Sequence, residues 1–505
     1  MPPQQGLSRF KHSNDAPSGL EAQQVRQIRD EAQRKLTLIE ARLEEELEGH
    51  SSIEILERTE AGLQKTLQLC DSILSPIRHL PPEILAHIFL FSLPPVKEAE
   101  ERVEWYEALD HSPWVLGRVS RRWRAVALNS PALWTSIIIQ ADGDSEEACC
   151  LPMLEAQLER SGKSPLDIIF MCEEDPYLAE EALKKLIQHS ARWKPLVITA
   201  RNISSLPRRI RKKLPLLQTL CVRGYDSEAE EYDGESPPPD YLDHFGVAPR
   251  LRSLEVEFPP RFKVPWGQLT RYEASGGWDD HISVLVKLKR LESCKLDMAH
   301  EAELSDPFTW GSKTIQLTRL RRLELSCERY NSGDCWSCPA WLRLPALTGL
   351  SIQGPMFRGL APLLQNSNCT LKKLHITGGA PEKDLALPVF ESSAHIAELE
   401  ISLLDRYPAE NILPLLTLLS IEPDKPVLLP RLRNLIIVNS QKNQYPIGKM
   451  LVSRWNTSTR DSSVARLRSL RFVNGEWAGP LSTVLSALFD KLRSKGVDVR
   501  IGWDR

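Results

Sequence analysis

The chain has 505 residues, of which 42% are hydrophobic and 26% charged, and its formal net charge is -3. This length exceeds that of a domain with a single hydrophobic core, so two or three structural units are expected. The near-neutral net charge argues against nucleic acid as a partner. Neither a secretory signal nor a membrane-spanning stretch is predicted, and ten scattered cysteines indicate a reducing compartment, the cytoplasm or the nucleus.

Residues 1–19 are rich in Pro, Ser and Gln and are predicted to form a disordered tail. Residues 20–75 are predicted to form two antiparallel amphipathic helices or one broken coiled coil, because apolar residues recur at steps of three or four. Ser51 and Glu54 fit a capping box at the start of the second helix. The apolar face of the first helix consists of Val25, Ile28, Ala32, Leu36, Ile39, Leu43 and Leu47. A packing module is the simpler interpretation and a dimerisation element the alternative.

The stretch "LPPEILAHIF", from Leu80 to Phe89, concentrates apolar side chains directly after this charged segment. Two prolines and Glu83 at its start favour the first turn of a helix. The helix is predicted to carry a broad apolar stripe made of Ile84, Leu85, Ile88 and Phe89. Such a stripe is typical either of a buried helix or of a surface made for another protein.

A second helical stretch, "WVLGRVSRRWRAVALNSPALW", runs from Trp114 to Trp134. Its spacing predicts one helix with another apolar stripe, made of Val119, Trp123, Val126 and Ala127. The arginines of this helix are expected to face outward; they are Arg121, Arg122 and Arg124. A module of this size buries little surface by itself, so it is expected to pack against a partner or a neighbouring domain.

These stretches resemble the F-box family, and most closely its fungal F-box-like group: "LPPEILAHIF", "VSRRWRAVA" and "SPALW" follow in the order of the family signatures. The resemblance covers residues 76–135; it departs from the family in an acidic insertion, residues 95–113, and in Ser120, where many members have Cys. It implies a small three-helix module that binds a Skp-family adaptor and, through it, a cullin–RING ubiquitin ligase. The adaptor-binding residues that it implies are Leu80, Pro81, Ile84, Leu85, Ile88, Phe89, Val119, Trp123 and Trp134, some of them packing within the module.

Residues 136–505 repeat a phrase of the form L-x-x-L-x-I/L/V, which indicates an irregular leucine-rich-repeat-like α/β solenoid. The second and third apolar residues share one strand face, and the first enters the core from the preceding turn. The middle residues of the phrases are Leu196, Leu220, Leu254, Cys294, Leu323, Leu350, Leu374, Leu399, Leu435 and Leu470. Their spacing reaches 40 residues between Leu254 and Cys294, so the long steps predict insertions, such as the acidic stretch 226–244.

The strand positions between the buried residues are expected to line the binding face of the repeats. The candidate substrate surface consists of Glu255, Glu257, Glu324, Ser351, Gln353, His375, Glu400 and Arg471. Its acidic to polar middle would suit a partner with a basic or polar stretch, and a merely solvated sheet face is the alternative.

The whole chain is therefore predicted to be α+β: a helical segment, a three-helix F-box module and a repeat domain over 136–505. No nucleotide, hydrolase or zinc-protease signature occurs in the sequence, and neither a cofactor nor a metal is expected. The resemblance implies a non-enzymatic receptor that selects a protein for ubiquitination. One alternative is an interaction scaffold not coupled to ubiquitination. A less favoured alternative is a thiol enzyme using the C-x-x-C pair, Cys335 and Cys338.

Overall fold

The computed structural model describes residues 10, 14–45, 50–93, 113–141, 151–172, 176–199, 202–203, 205–223, 243–256, 263–276, 278–298, 314–326, 341–378, 381–403, 412–422, 425–438, 444–461, 463–474 and 483–503. These residues form a mixture of helices and strands with a large parallel sheet, as expected. Most of the predicted tail (1–19) and most of the two acidic insertions (95–113 and 226–244) lie outside the described residues. The chain divides into two compact units, Met1–Leu196 and Val197–Arg505, called here the N-terminal and the C-terminal unit.

The N-terminal unit opens with helices α1 (Gly19–Glu45) and α2 (His50–Leu74). They run antiparallel, since Val25 near the start of α1 packs against Cys70 and Ile73 near the end of α2. The predicted apolar face of α1 is confirmed at Val25, Ala32 and Leu36, which are buried. A capping box does occur, but at the start of α1: the Ser18 N–H donates to the Glu21 carboxylate (2.8 Å). Ser51 was predicted to cap α2, but its side chain is not among the parts of the chain that the structure describes.

A compact group of short helices follows, termed here the helical module (residues 76–93 and 113–134). It consists of a 3-10 turn, Pro76–His79, the helices α3 (Pro82–Ser92), α4 (Pro113–Val119) and α5 (Arg121–Leu128), and a 3-10 turn, Pro131–Trp134. The single helix predicted over 114–134 is thus wrong. Ser120 breaks it: its backbone is extended, and its hydroxyl accepts the Trp123 N–H (3.1 Å), which makes it the N-cap of α5.

The remainder of the N-terminal unit alternates strands and helices. The elements are β1 (Ser136–Ala141), α6 (Leu151–Arg160), β2 (Leu166–Cys172), α7 (Pro176–Gln188) and β3 (Trp193–Thr199), and the division between the units falls within β3. Strands β1 and β2 are parallel, with Ile137 opposite Ile168. Parallel neighbours need a crossover connection, and α6 supplies it.

The C-terminal unit contains a parallel sheet whose strands pair in chain order. Its strands are β4 (Thr219–Arg223), β5 (Ser253–Val256), β6 (Arg271–Gly276), β7 (Ser293–Met298), β8 (Ile315–Gln316), β9 (Arg322–Ser326), β10 (Leu342–Arg343), β11 (Gly349–Gln353), β12 (Lys373–Gly378), β13 (Glu398–Leu403), β14 (Asn434–Val438), β15 (Ser469–Asn474) and β16 (Asp498–Trp503). Strands β8 and β10 form a separate short parallel pair. All the others belong to the sheet.

The register of this sheet follows the repeated phrase. Leu323 lies opposite Leu350, Leu350 opposite Leu374, and the same alignment continues through Leu399 and Leu435. In the C-terminal unit, the first residue of each phrase from β4 onward is buried in the turn before its strand, as predicted; these residues are Leu217, Leu251, Leu291, Leu320, Leu347, Leu371, Ile396, Leu432 and Leu467. The phrase therefore located its strands correctly.

Two strands of the sheet in the C-terminal unit, β6 and β16, carry no recognised phrase. The long step from Leu254 to Cys294 holds no simple insertion, because β6 lies within it and places Tyr272 opposite both residues. Leu269, Tyr272 and Ala274 are buried and occupy the three phrase positions with less typical residues. At the end of the sheet, β16 pairs with β15 and sets Val499 opposite Leu470.

Helices connect many of the strands and cover one face of the sheet. They are α8 (Trp278–Leu285), α9 (Leu360–Ser367), α10 (Lys383–Ser392), α11 (Ile412–Leu419), α12 (Gln444–Arg460) and α13 (Thr483–Ser494). From α9 to α13 each helix packs against the next. Buried strand residues such as Leu374 and Ile376 alternate with partly exposed ones such as His375. Residues of the second kind form the opposite face, called here the polar face.

Acid should destabilise the C-terminal unit through His281, which lies fully buried in α8. Burial lowers its pKa to about 4, although the backbone of Asp297 and of Gly276 acts in the opposite direction. An unfolded histidine titrates near 6.5, so below that pH the unfolded chain binds a proton that the folded chain excludes. The free energy of unfolding is therefore highest above pH 6.5 and decreases as the pH falls toward 4. Between about pH 7.5 and pH 5 the loss should be about 2 kcal/mol.

The measurement is the free energy of unfolding in urea at both pH values. His281→Gln should remove most of this pH dependence, whereas His395→Gln, which changes an exposed histidine, should leave it in place. If His281→Gln keeps the full dependence, another group is responsible for the acid sensitivity.

Candidate functional site

Helix α3 has two apolar faces with different surroundings. Leu85 and Phe89 are fully buried in the core of the helical module, where they join Val126, Leu133 and Trp134. One position before each of them, Ile84 and Ile88 are 48% and 41% exposed. The predicted stripe of four apolar residues is therefore divided, since one pair holds the module together and the other pair faces outward.

The outward face of α3 continues along the helix. Ile84, Ile88 and Phe91 follow at i, i+4 and i+7, which places them on one side of a helix, and Phe91 is 88% exposed. These three residues are called here the α3 stripe. Phe91 was not among the predicted residues, although its spacing of seven residues from Ile84 places it on the same side of the helix. Exposed aliphatic and aromatic side chains in helical register are typical of a helix that binds another protein.

The position of α3 is fixed from its N-terminal side by two arginines. Arg122 on α5 donates to the backbone carbonyls of Arg78 and Leu80, directly before α3. Arg78 is itself buried and donates to the Ser72 carbonyl (2.8 Å) at the end of α2. The expectation that Arg122 faces outward is thus wrong: its guanidinium joins α5 to the 3-10 turn at Arg78 and to Leu80, the residue after the turn.

The other predicted adaptor-binding residues differ in accessibility. Pro81 is exposed, Val119 at the end of α4 is 51% exposed, and Leu80 is half-buried. Trp123 is also half-buried, with its ring 4.7 Å from that of Phe89. Trp134 is buried, and its Nε1–H donates to the Ala127 carbonyl (2.8 Å). Leu85, Phe89 and Trp134 are core residues in this structure, so a partner would contact the others.

A cationic side chain also supports the module. The Arg160 guanidinium, at the end of α6, lies 4.4 Å from the Trp114 ring and 4.5 Å from the Trp134 ring. The two rings meet edge to face at 4.9 Å. Cation–π contacts of this kind stabilise the arrangement of the rings. The sequence offered no signal for Arg160, because it comes from outside the motif and the contact depends on how α6 packs.

The polar face of the C-terminal unit brings together most of the candidate substrate residues. Glu324, Ser351, His375 and Glu400 lie side by side on β9, β11, β12 and β13. Gln353 lies on β11, Glu255 on β5 and the exposed Arg471 on β15, whereas Glu257 lies outside the described residues. A shallow groove of about 360 Å³ crosses β6 to β13 on this face.

The charges in this groove are largely compensated. Lys295 contacts Glu273 (2.7 Å), and Arg271 contacts the same carboxylate (3.2 Å). Burial raises the pKa of Glu273, but hydrogen bonds from Lys295 and Arg271 outweigh it, so the pKa lies below its ordinary value. Arg223 pairs with Glu255 (2.8 Å). Arg271 and Glu273 were not predicted on this face, because the sequence of β6 lacks the repeated phrase.

A polar cluster surrounds His375 in the same groove. Its Nδ1 lies 3.3 Å from the Ser351 hydroxyl, and its Nε2 lies 3.1 Å from the Ser402 hydroxyl and 3.4 Å from the Glu400 carboxylate. The imidazole is thus shared between two hydroxyls on an open sheet face. Such a cluster offers donors and acceptors to a bound partner.

The described residues contain no group of three or more His, Cys, Asp or Glu arranged to hold a metal ion. Cys335 and Cys338 lie outside them. Within the same part of the chain, no helix combines the length and the apolar character that crossing a bilayer requires. No protein-family model matches the chain, and a search of curated proteins finds no significantly similar sequence.

Proposed function

We propose that this protein is the substrate-recognition subunit of a Skp–cullin–F-box ubiquitin ligase. The observation that carries the proposal is the division of α3, in which Leu85 and Phe89 face the core while Ile84, Ile88 and Phe91 face outward. A helix that only packed inward would expose polar residues at these positions. The F-box resemblance of residues 76–135 names a Skp-family adaptor as the partner.

In this proposal the adaptor contacts the α3 stripe, Pro81 and Val119. Leu80 and Trp123, which are half-buried, contribute their accessible atoms. Leu85, Phe89 and Trp134 act indirectly, because their burial in the module holds α3 in place. The arginine contacts from Arg122 to the carbonyls of the preceding turn fix where α3 begins.

The C-terminal unit would form the leucine-rich-repeat-like solenoid that holds the target protein. Its phrases pair in register along the sheet, and the polar face presents Glu324, Ser351, His375 and Glu400 to a partner. The protein is then non-enzymatic, because other subunits of the ligase transfer ubiquitin. The target would be brought close to them by the receptor.

Co-expression of the full chain with a Skp-family adaptor, followed by size-exclusion chromatography, tests the proposal. The expected result is a single equimolar complex that also takes up a cullin–RING pair. Separate elution of the chain and the adaptor under gentle conditions would favour the uncoupled interaction scaffold instead.

A further inference from the structure

The turns that precede the strands of the C-terminal unit carry an unusual density of positive charge. Three positions per phrase are involved: the residue before the buried turn residue, the residue after it, and the first residue of the strand. From β5 to β15 the cations at these positions are Arg250, Arg252, Arg271, Arg290, Arg319, Arg321, Arg322, Lys372, Lys373, Arg431, Arg433, Arg466 and Arg468. All of them are exposed. They are called here the basic edge.

The fold aligns these cations along one side of the sheet. The Arg321 carbonyl accepts the N–H groups of Thr348 and Gly349, and the Thr348 carbonyl accepts those of Lys372 and Lys373. The same ladder links the turns before β5, β6, β7 and β9 and those before β13, β14 and β15. Because adjacent strands lie about 4.8 Å apart, the basic edge forms one row along the sheet. The row is interrupted at β11 and β13, where the three positions hold no Lys or Arg.

Little negative charge compensates this row. The acidic residues at the same phrase positions are Glu292 and Glu398, and Glu398 pairs with Lys373 (2.9 Å). Arg271 pairs with Glu273 on the polar face. Within the described parts of the chain, the other cations of the basic edge make no ion pair. A chain with a net charge of -3 thus concentrates cations that lack an ion pair on one edge.

The residue types along the edge favour an anionic protein segment. Arginine predominates, and its planar guanidinium matches the two oxygens of a carboxylate or a phosphate. No Trp, Tyr or Phe occupies these positions, whereas proteins that bind single-stranded nucleic acid stack bases on aromatic side chains.

The neighbouring row of side chains also favours a peptide over a nucleic-acid duplex. Glu255, Glu273 and Glu324 lie on the polar face, two or three residues further along their strands. Their backbone positions are therefore about 7–10 Å from the edge, although the Arg271 side chain reaches the Glu273 carboxylate (3.2 Å). A wide duplex on the edge would also meet this acidic row. A narrow extended peptide would not.

We infer that the basic edge binds an acidic segment of a partner protein, one that carries either carboxylates or phosphorylated side chains. The inference rests on the proposed function in so far as this partner would be the target that the receptor selects. Binding itself requires only the chain. The acidic segment would lie across the turns before β5 to β15, while a polar or basic part of the same partner could contact the polar face.

Fluorescence anisotropy of labelled peptides on the full chain tests the inference. The probes are a peptide that alternates Glu and Ser, and a second peptide of equal length with phosphoserine in place of Glu. Arg319→Gln/Arg321→Gln/Arg322→Gln removes three exposed cations from the basic edge. The matched control, Lys383→Gln/Lys449→Gln/Lys491→Gln, removes three exposed cations from α10, α12 and α13. Circular dichroism verifies that both variants are folded.

The edge variant should bind the preferred peptide at least about tenfold more weakly than the wild type, and wild-type affinity should fall by about tenfold or more between 50 and 200 mM salt. The control should stay close to the wild type. Preference for one peptide identifies carboxylate or phosphate as the recognised group. Equal weakening by both variants, or tighter binding of a duplex or single-stranded oligonucleotide than of either peptide, would overturn the inference.

The adaptor plays no part in this assay. A chain that binds neither peptide but still holds the adaptor would refute the basic edge alone. A chain that binds a peptide but not the adaptor would refute the proposed receptor function alone.

Discussion

The double variant Ile84→Ala/Ile88→Ala should lose Skp-family adaptor binding while its fold remains intact. Apolar residues at the centre of an interface contribute about 2 kcal/mol or more each, so the adaptor affinity should fall by about a thousandfold. Both side chains are substantially exposed in the free chain. Their truncation should therefore change the free energy of unfolding by less than about 1 kcal/mol. Biolayer interferometry gives the affinity, and urea unfolding gives the stability.

Leu38→Ala/Ile55→Ala is the matched control, because it removes aliphatic atoms from two residues of α1 and α2 that are 66% and 65% exposed. Its adaptor affinity should equal that of the wild type. Comparable weakening in both double variants would mean that the loss is not specific to α3. Wild-type affinity in Ile84→Ala/Ile88→Ala would remove the α3 stripe from the interface.

Trp134→Ala should have the largest effect on stability in the helical module. The indole is almost fully buried, belongs to the same core cluster as Leu85 and Phe89, and meets the Trp114 ring edge to face. Replacing such a residue with Ala leaves a cavity and costs about 3–5 kcal/mol. It also leaves the Ala127 carbonyl without its indole donor. The module should unfold at lower urea concentration, as followed by far-ultraviolet circular dichroism, and adaptor binding should be lost with it.

Trp134→Phe separates packing from hydrogen bonding. It keeps an aromatic ring in the core and removes the Nε1–H, so its cost should be clearly smaller than that of Trp134→Ala. Equal stability of the wild type and Trp134→Ala would contradict the assignment of Trp134 to the core.

The strands of the C-terminal unit could be predicted from the sequence because each one needs the same three buried positions. Leu, Ile or Val fills these positions in most strands, and the register aligns them from one strand to the next. Strand β6 was missed because Tyr272 and Ala274 stand where two aliphatic residues were expected. A large and a small residue together fill the same part of the core, a solution that a search for aliphatic residues does not detect.

The two faces of α3 could not be told apart from the sequence. Ile84 with Ile88 and Leu85 with Phe89 are both apolar pairs spaced by four residues, so the helical period favours neither as the core. The choice depends on where α5 and Trp134 pack. Arg122 illustrates the same limit, because an arginine is expected in water unless backbone carbonyls outside its own helix lie within reach.

Hydrogen–deuterium exchange of the full chain, with and without a Skp-family adaptor, shows which amide groups the adaptor protects. The proposed interface predicts slower amide exchange on adaptor binding in α3 and around Val119 at the end of α4, with little change along the sheet of the C-terminal unit. Absence of protection in α3 at adaptor concentrations that saturate the chain, or protection confined to the C-terminal unit, would contradict the claim that the exposed face of α3 is the adaptor-binding surface.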